Sequence, residues 1–193
     1  MSRIGVGFTL FLFFLLLADN QEVKGQFGLG ISYEIRDEKP THGIGARLDY
    51  DVLQSIPLLS LTVRAHASYF SEVERTEYVL SGLRTEVVRE NVAYDVGASL
   101  LAGVSVAMVK PYIGLGLGMD SSQFFTFDAR SGENRFVGIS EENLYWNAFA
   151  GAEFVLIPIV SPFIEYRAVS IVNPRNIDYK GFARVAFGIM LRF

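Results

Sequence analysis

The sequence predicts an all-β protein, an eight-stranded antiparallel up-and-down β-barrel, and three observations carry that prediction. Apolar residues recur at every second position in eight separate segments, while no stretch from Gln26 onward sustains a helical period. The connections between segments alternate between tight and long, as they do when successive strands run up and down. Eight is also an even number, which brings the first and last strands to the same rim, where they can pair and abolish both sheet edges.

Residues 1–25 come before the strands and read differently. In MSRIGVGFTLFLFFLLLADN, Arg3 begins a short basic start, an apolar run extends from Ile4 to Leu17, and small and polar residues follow. That order is the pattern of a secretory signal peptide, with cleavage expected after Ala18 or Gly25 and export through the Sec pathway. The run falls short of the ~20 residues a transmembrane helix needs. The barrel domain is then residues 26–193.

The first strand, QFGLGISYEIR, sets Phe27, Leu29, Ile31, Tyr33 and Ile35 against Gly28, Gly30, Ser32, Glu34 and Arg36. In the second, GIGARLDYDV, Ile44, Ala46, Leu48, Tyr50 and Val52 oppose Gly45, Arg47, Asp49 and Asp51. The third, LSLTVRAHASYF, separates Leu61, Val63 and Tyr69 from Thr62, Arg64, His66 and Ser68. The fourth, NVAYDVGASLLA, separates Tyr94, Val96 and Leu100 from Asp95, Gly97 and Ser99. The fifth, PYIGLGLGMD, alternates Ile113, Leu115, Leu117 and Met119 with Gly114, Gly116, Gly118 and Asp120. The sixth, LYWNAFAGAEF, turns Leu144, Trp146 and Phe154 away from Asn147, Gly151 and Glu153. In the seventh, SPFIEYRAV, Ile164 and Tyr166 oppose Phe163, Glu165 and Arg167; in the eighth, GFARVAFGIMLRF, Val185, Phe187, Ile189, Leu191 and Phe193 oppose Arg184 and Arg192.

Tight links follow strands two, four and six (LQSIP, GVSVAMV, VLIPIVS), whereas DEKPTH, residues 71–90, residues 121–143 and SIVNPRNIDYK are longer and polar. Two of the long ones carry their own alternation around turn signals at Ser81-Gly82 and SGEN, so they are expected to rise above the barrel as β-ribbons.

Composition decides which face points where. Half of the 193 residues are hydrophobic and only 20% are charged. The charges concentrate on the face that also carries the glycines, which suits a narrow polar interior and an apolar exterior. Aromatics collect near the strand ends of the apolar face, Phe27, Tyr50, Phe154 and Phe193 at one end and Tyr33, Tyr69 and Trp146 at the other, as two girdles at the bilayer interfaces would require. Strands near ten residues match the ~9–11 tilted residues that cross a hydrocarbon core. The expected topology is a transmembrane barrel with short periplasmic turns and longer extracellular loops. A soluble, lipocalin-like carrier with the faces inverted is the rival at the level of fold.

The lumen is expected to hold a charge network of Glu34, Arg36, Arg47, Asp49, Asp51, Arg64, Asp95, Asp120, Glu153, Glu165, Arg167, Arg184 and Arg192. Unpaired charges in so narrow a space would be very costly, so interlocked ion pairs should plug it. A formal net charge of −4 without a basic stripe excludes a general nucleic-acid binder, and the absence of cysteine excludes disulfides, thiolate catalysis and Cys-ligated metals.

On the signal segment, KPYIGLGLGMD, WNAFAGAEF, SPFIEYRAV and the terminal FGIMLRF, the chain resembles the small eight-stranded outer-membrane barrels of Gram-negative bacteria, the group of OmpX, the opacity-type proteins and the OmpA transmembrane domain. The resemblance implies the outer membrane as location, membrane lipid and lipopolysaccharide as surroundings, and a last strand, through Phe187, Ile189, Leu191 and Phe193, that is read by the barrel-assembly machinery.

Chemistry has few places to reside. His66 and Ser68, two apart on one strand, project to the same side and are the candidate catalytic pair, with Glu72 or Asp95 as orienting carboxylate; outer-membrane lipid A deacylases are similar locally. GLGLG lacks the strand-to-helix turn of a phosphate cradle, and Asp128 and Glu133 in DARSGEN lack the ligand spacing of a calcium loop. Neither a metal nor a cofactor is called for. Phe124, Phe125, Phe127 and Phe136 put much apolar surface on a long loop and are the candidate contacts for an extracellular partner. The expectation is a non-enzymatic envelope protein whose loops adhere or bind a partner; a lipid A-modifying hydrolase and a narrow ion channel are the alternatives.

Overall fold

The computed structural model describes residues 27–53, 59–80, 83–127, 139–155, 159–172 and 180–193. The signal segment, the DARSGEN turn and Phe136 lie outside the described residues. Eight strands follow in chain order: β1 (Phe27–Arg36), β2 (His42–Leu53), β3 (Leu59–Leu80), β4 (Leu83–Val104), β5 (Val109–Phe127), β6 (Ile139–Phe154), β7 (Val160–Val172) and β8 (Lys180–Arg192). They close into an antiparallel barrel in that order. β1 pairs with β8 from Gly28↔Arg192 to Arg36↔Arg184, and the Phe193 amide donates to the Phe27 carbonyl at 2.8 Å. Every strand therefore has two neighbours, as a bilayer-spanning sheet requires.

The alternation resolves into inside and outside. Along β1 the residues are exposed and buried in strict turn. Ile31 is 68% exposed and Leu117 70%, whereas Asp49 is 0% and Arg64 1% exposed. A soluble domain has the opposite arrangement; here the core is the polar lumen. The aromatics lie on the outer face near the rims: Phe27 against Tyr50 at 5.0 Å between ring centroids, with Phe154 and Phe193, at the short-turn end, and Tyr69 against Tyr94 at 5.4 Å, with Tyr33 and Trp146, at the other.

Inward glycines make room for rings on the next strand. Gly114, Gly116 and Gly118 of β5 stand opposite Phe149, Asn147 and Tyr145 of β6. A Cβ on Gly118 would overlap the Tyr145 ring and lie 2.6 Å from the Val96 carbonyl; one on Gly114 would overlap Phe149. The GLGLG run is thus a seat for lumen aromatics within a strand.

The two ends of the barrel are built differently. At the short-turn end, Val106 and Val109 exchange both backbone hydrogen bonds at 2.9 and 3.0 Å across Ala107-Met108, with Ala107 in the left-handed region at φ 53°. At the opposite end, β3 and β4 stay paired from Ser71↔Val92 to Leu80↔Leu83, beyond the last partner that β2 offers, Gly43↔Phe70. β5 follows this ribbon outward: Phe124, Phe125 and Phe127 lie in its extension, paired with Asn91, Glu90 and Val88.

The β1–β2 connection differs from its sequence reading as a long loop. His42 already belongs to β2, and only Asp37–Thr41 remain. This short loop folds over the lumen mouth: Pro40 is fully buried, and its carbonyl accepts from Arg36 Nε at 2.6 Å. Thr41 donates to Glu72 through its amide at 2.8 Å and its hydroxyl at 3.0 Å, which ties the loop to the ribbon.

Candidate functional site

The inward positions of all eight strands converge on one column of charge. Seven buried carboxylates, Glu34, Asp49, Asp51, Asp95, Asp120, Glu153 and Glu165, face Arg36, Arg47, Arg64, Arg167, Arg184 and Arg192, with Lys110 at the lower rim. An ion taken out of water costs several kcal/mol, recovered only by close partners and further hydrogen bonds. The column supplies both, in tiers.

At the short-turn end, Arg192 of β8 binds Glu153 of β6 at 2.6 and 2.7 Å and Asp51 of β2 at 3.1 Å. Thr62 donates to the same aspartate, and Lys110 Nζ lies 3.7 Å from it. In the middle tier Glu165 of β7 is the hub. Its Oε2 accepts from Arg64 Nη1 at 2.6 Å, Arg47 Nη1 at 3.2 Å and the Tyr112 hydroxyl at 2.9 Å, while Oε1 accepts from Arg167 at 2.7 Å. Arg64 also holds Asp49 in a bidentate pair at 2.7 and 2.8 Å.

Above it, Arg184 of β8 spans Glu34 of β1 at 2.8 Å and Asp95 of β4 at 2.6 Å. At the mouth, Arg36 lies 3.5 Å from Asp120 and 4.6 Å over the Phe70 ring, while donating to the carbonyls of Pro40 and Glu38. Strands β3 and β7, and β4 and β8, face each other across an eight-stranded barrel. The Arg64–Glu165 and Arg184–Asp95 pairs are therefore cross-lumen ties.

Aromatic side chains fill the space between the tiers; alternation had set Phe163 on the polar face of its strand, beside Glu165 and Arg167, but had not assigned the others to the lumen. Arg47 stacks 4.0 Å over Phe163 and Arg167 4.8 Å over Phe149, which adds cation–π attraction to the ion pairs. Tyr145, Phe182 and Phe70 are buried alongside. The signal that would have found them is the cross-strand matching of a glycine with a ring, which needs the register and not only the parity.

His66 and Ser68 both point into this column, but they are engaged separately. His66 Nε2 is 2.9 Å from the Tyr145 hydroxyl, 2.8 Å from Arg167 Nη1 and 3.2 Å from Asp95 Oδ1. The Ser68 hydroxyl donates to Glu34 at 3.1 Å and accepts from Arg184 at 3.1 Å. Nucleophilic catalysis needs the serine proton directed to the histidine; here it goes to Glu34. Glu72 lies outside the column, on Thr41. The terminal residues Phe187, Ile189, Leu191 and Phe193 all lie on the outer face of β8 and its end, exposed.

Solved structures with the same architecture fit this geometry. A major outer membrane protein from Thermus thermophilus is similar with a TM-score of 0.59 at 12% identity, over 88% of this chain and 100% of that one. Neisserial surface protein A gives 0.52 at 15% identity, and Ail, the attachment invasion locus protein of Yersinia pestis, 0.51 at 17%, each over 88% of this chain and 97% of the other. No family model matches the chain, and no curated protein sequence does. At these identities the likeness is one of fold: the chain folds as a small eight-stranded outer-membrane β-barrel.

Proposed function

We propose that this chain is a non-enzymatic protein of the Gram-negative outer membrane, a lumen-plugged barrel that braces the envelope and presents its β3–β4 ribbon and neighbouring loops to an extracellular partner. The observation that carries the reading is the inversion of polarity: a closed sheet with its large apolar residues outside and its paired charges inside. Water on the outer face would leave that belt unsatisfied, whereas hydrocarbon suits it. Plugging is supported by the cross-lumen ties, since guanidiniums and carboxylates from opposite walls meet at 2.6 Å.

The ribbon supports the contact role. Residues 71–80 of β3 extend past the end of β2, so one edge of the ribbon is offered above the barrel for strand addition or for burial of a patch. Phe124, Phe125, Phe127 and Phe136 are the proposed contact residues, and Phe187, Ile189, Leu191 and Phe193 the proposed assembly signal. The separate engagement of His66 and Ser68 weighs against a lipid A hydrolase, and the cross-lumen ties weigh against an open channel.

Electrophoresis of the outer-membrane fraction in mild SDS, with and without boiling, tests the reading. A faster unboiled band in that fraction is the expected result. Recovery in the soluble periplasm with no shift would overturn it.

A further inference from the structure

The tight turns at the short-turn end are apolar where turns that work in water are polar. The links LQSIP, GVSVAMV and VLIPIVS contain no Asp, Glu, Lys or Arg. Val106 is 59%, Met108 66% and Ile159 56% exposed, and all three lie outside the strands that these links join. At the opposite end Asp37, Lys39 and Glu142 stand exposed. Turns in water favour Gly, Asn, Asp and Ser, and an exposed apolar patch marks contact with a membrane or a partner.

Two further features suit these tips to a medium poor in water. Their backbone groups bond to one another: the Val155 amide donates to the Met108 carbonyl at 2.8 Å, and the Arg192 amide donates to the Ile159 carbonyl at 3.0 Å. Main chain that leaves water has to be satisfied internally in this way. The charged side chains of this end also turn into the lumen, Lys110 Nζ to 3.7 Å from Asp51 and Arg192 to 2.6 Å from Glu153. Long cationic side chains at the edge of an apolar surface ordinarily reach outward to water.

The height of the apolar surface selects the occupant. From Tyr94 in the upper girdle to Val106 there are twelve residue steps along β4 and its turn. At ~3.4 Å per residue and a tilt of ~40°, twelve steps rise about 30 Å. That exceeds the ~25 Å apolar band of a typical barrel by about 5 Å, and the headgroup layer beyond each hydrocarbon face is itself roughly 5–7 Å deep. The apolar tips therefore end inside the headgroup layer, continuous with the belt that faces lipid. Building on the barrel reading above, we propose that the short-turn end is seated in the leaflet on its own side of the membrane: Val106, Met108 and Ile159 lie among phospholipid headgroups and upper acyl carbons, and this end offers no aqueous face to a periplasmic protein.

The chain contains no cysteine, so a single introduced thiol reports its own surroundings. Met108→Cys and Val106→Cys are compared with Val73→Cys, on the exposed ribbon, in phosphatidylcholine nanodiscs, which leave both faces of the bilayer open. A charged, water-soluble thiol reagent should modify Val73→Cys at least about tenfold faster than either tip variant, because both the reagent and the reactive thiolate are disfavoured where water is scarce. The three rates should converge in urea-unfolded chains. Tip thiols that react as fast as Val73→Cys, in barrels that keep their gel shift, overturn the seat. So does a tip thiol that reacts in nanodiscs but is shielded in the isolated outer membrane, since its cover would then be a protein. Should one tip variant fail to fold, the other decides the question. Absence of any gel shift in the parent protein would instead overturn the membrane-barrel reading on which the seat rests.

Discussion

Glu165→Gln isolates the contribution of the lumen network. The substitution keeps the side chain's shape and removes the single negative charge that Arg47, Arg64 and Arg167 share. Arg64 retains Asp49 through two bonds, so its loss is partial. Arg47 and Arg167 lose the carboxylate they reach. At about 1.5–3 kcal/mol for each charge-assisted hydrogen bond, two such losses amount to about 3–6 kcal/mol. Breaking a buried pair by removing one partner typically costs about 3–5 kcal/mol, which brackets the same value. With a urea slope near 2 kcal/mol/M, a loss of about 4 kcal/mol moves the unfolding midpoint down by about 2 M.

Trp146 is the only tryptophan and sits on the outer face, so its emission reports departure from the bilayer, and the gel shift checks closure independently. Glu74→Gln is the control. It breaks the exposed Lys39–Glu74 pair, where solvent screening leaves about 0–1 kcal/mol. A Glu165→Gln midpoint as close to the parent as that of the control would refute the claim that the network stabilises the barrel.

Other substitutions probe other parts of the barrel. Gly118→Val drives a branched side chain into Tyr145 and should cost about 1–3 kcal/mol by overpacking, read as a lower urea midpoint, with loss of the His66–Tyr145 contact seen in the tyrosine ring resonances. Phe193→Ser should lower the amount of heat-modifiable barrel in the outer-membrane fraction while leaving refolding into detergent unchanged; equal defects in both would assign the residue to stability and not to assembly. Glu72 stands beyond the Tyr69 girdle, and its carboxylate is held below its ordinary 4.5 chiefly by the Thr41 amide. A depressed carboxylate contributes stability that is present above 4.5 and lost as pH falls through the folded value. The Thr41 amide resonance should therefore titrate with a midpoint under 4.5, and Glu72→Gln should abolish that titration.

Parity was legible in the sequence because a membrane barrel imposes it twice, once through the lipid outside and once through the narrow lumen inside. Asp49, Arg64 and Glu165 could be assigned inward on that ground alone. The pairing could not. Arg64 and Glu165 are 101 residues apart and Arg184 and Glu34 are 150 apart, and which guanidinium meets which carboxylate depends on stagger, which no single strand encodes. Tyr145 and Phe149 were hidden for a related reason: an aromatic on the polar side of an alternating strand makes sense only once a glycine or an arginine is seen opposite. The rise of β3 and β4 above the barrel was legible from the alternation within residues 71–90 around Ser81-Gly82, and the two strands stay paired out to Leu80↔Leu83, where Glu72, Glu74 and Arg75 are tolerated on either face.

The pairing of β1 with β8 also sets a schedule. Phe27 and Phe193 meet only when all eight strands are in place, so the final seam depends on contacts of very large sequence separation. Such closures are slow, because the entropy of a long loop is lost before any contact rewards it. Until then two strands carry unpaired backbone that hydrocarbon will not accept. A half-built form is therefore not a smaller barrel but a sheet with two raw edges, and the meeting of the first and last strands is the single event that separates the finished fold from every unfinished one.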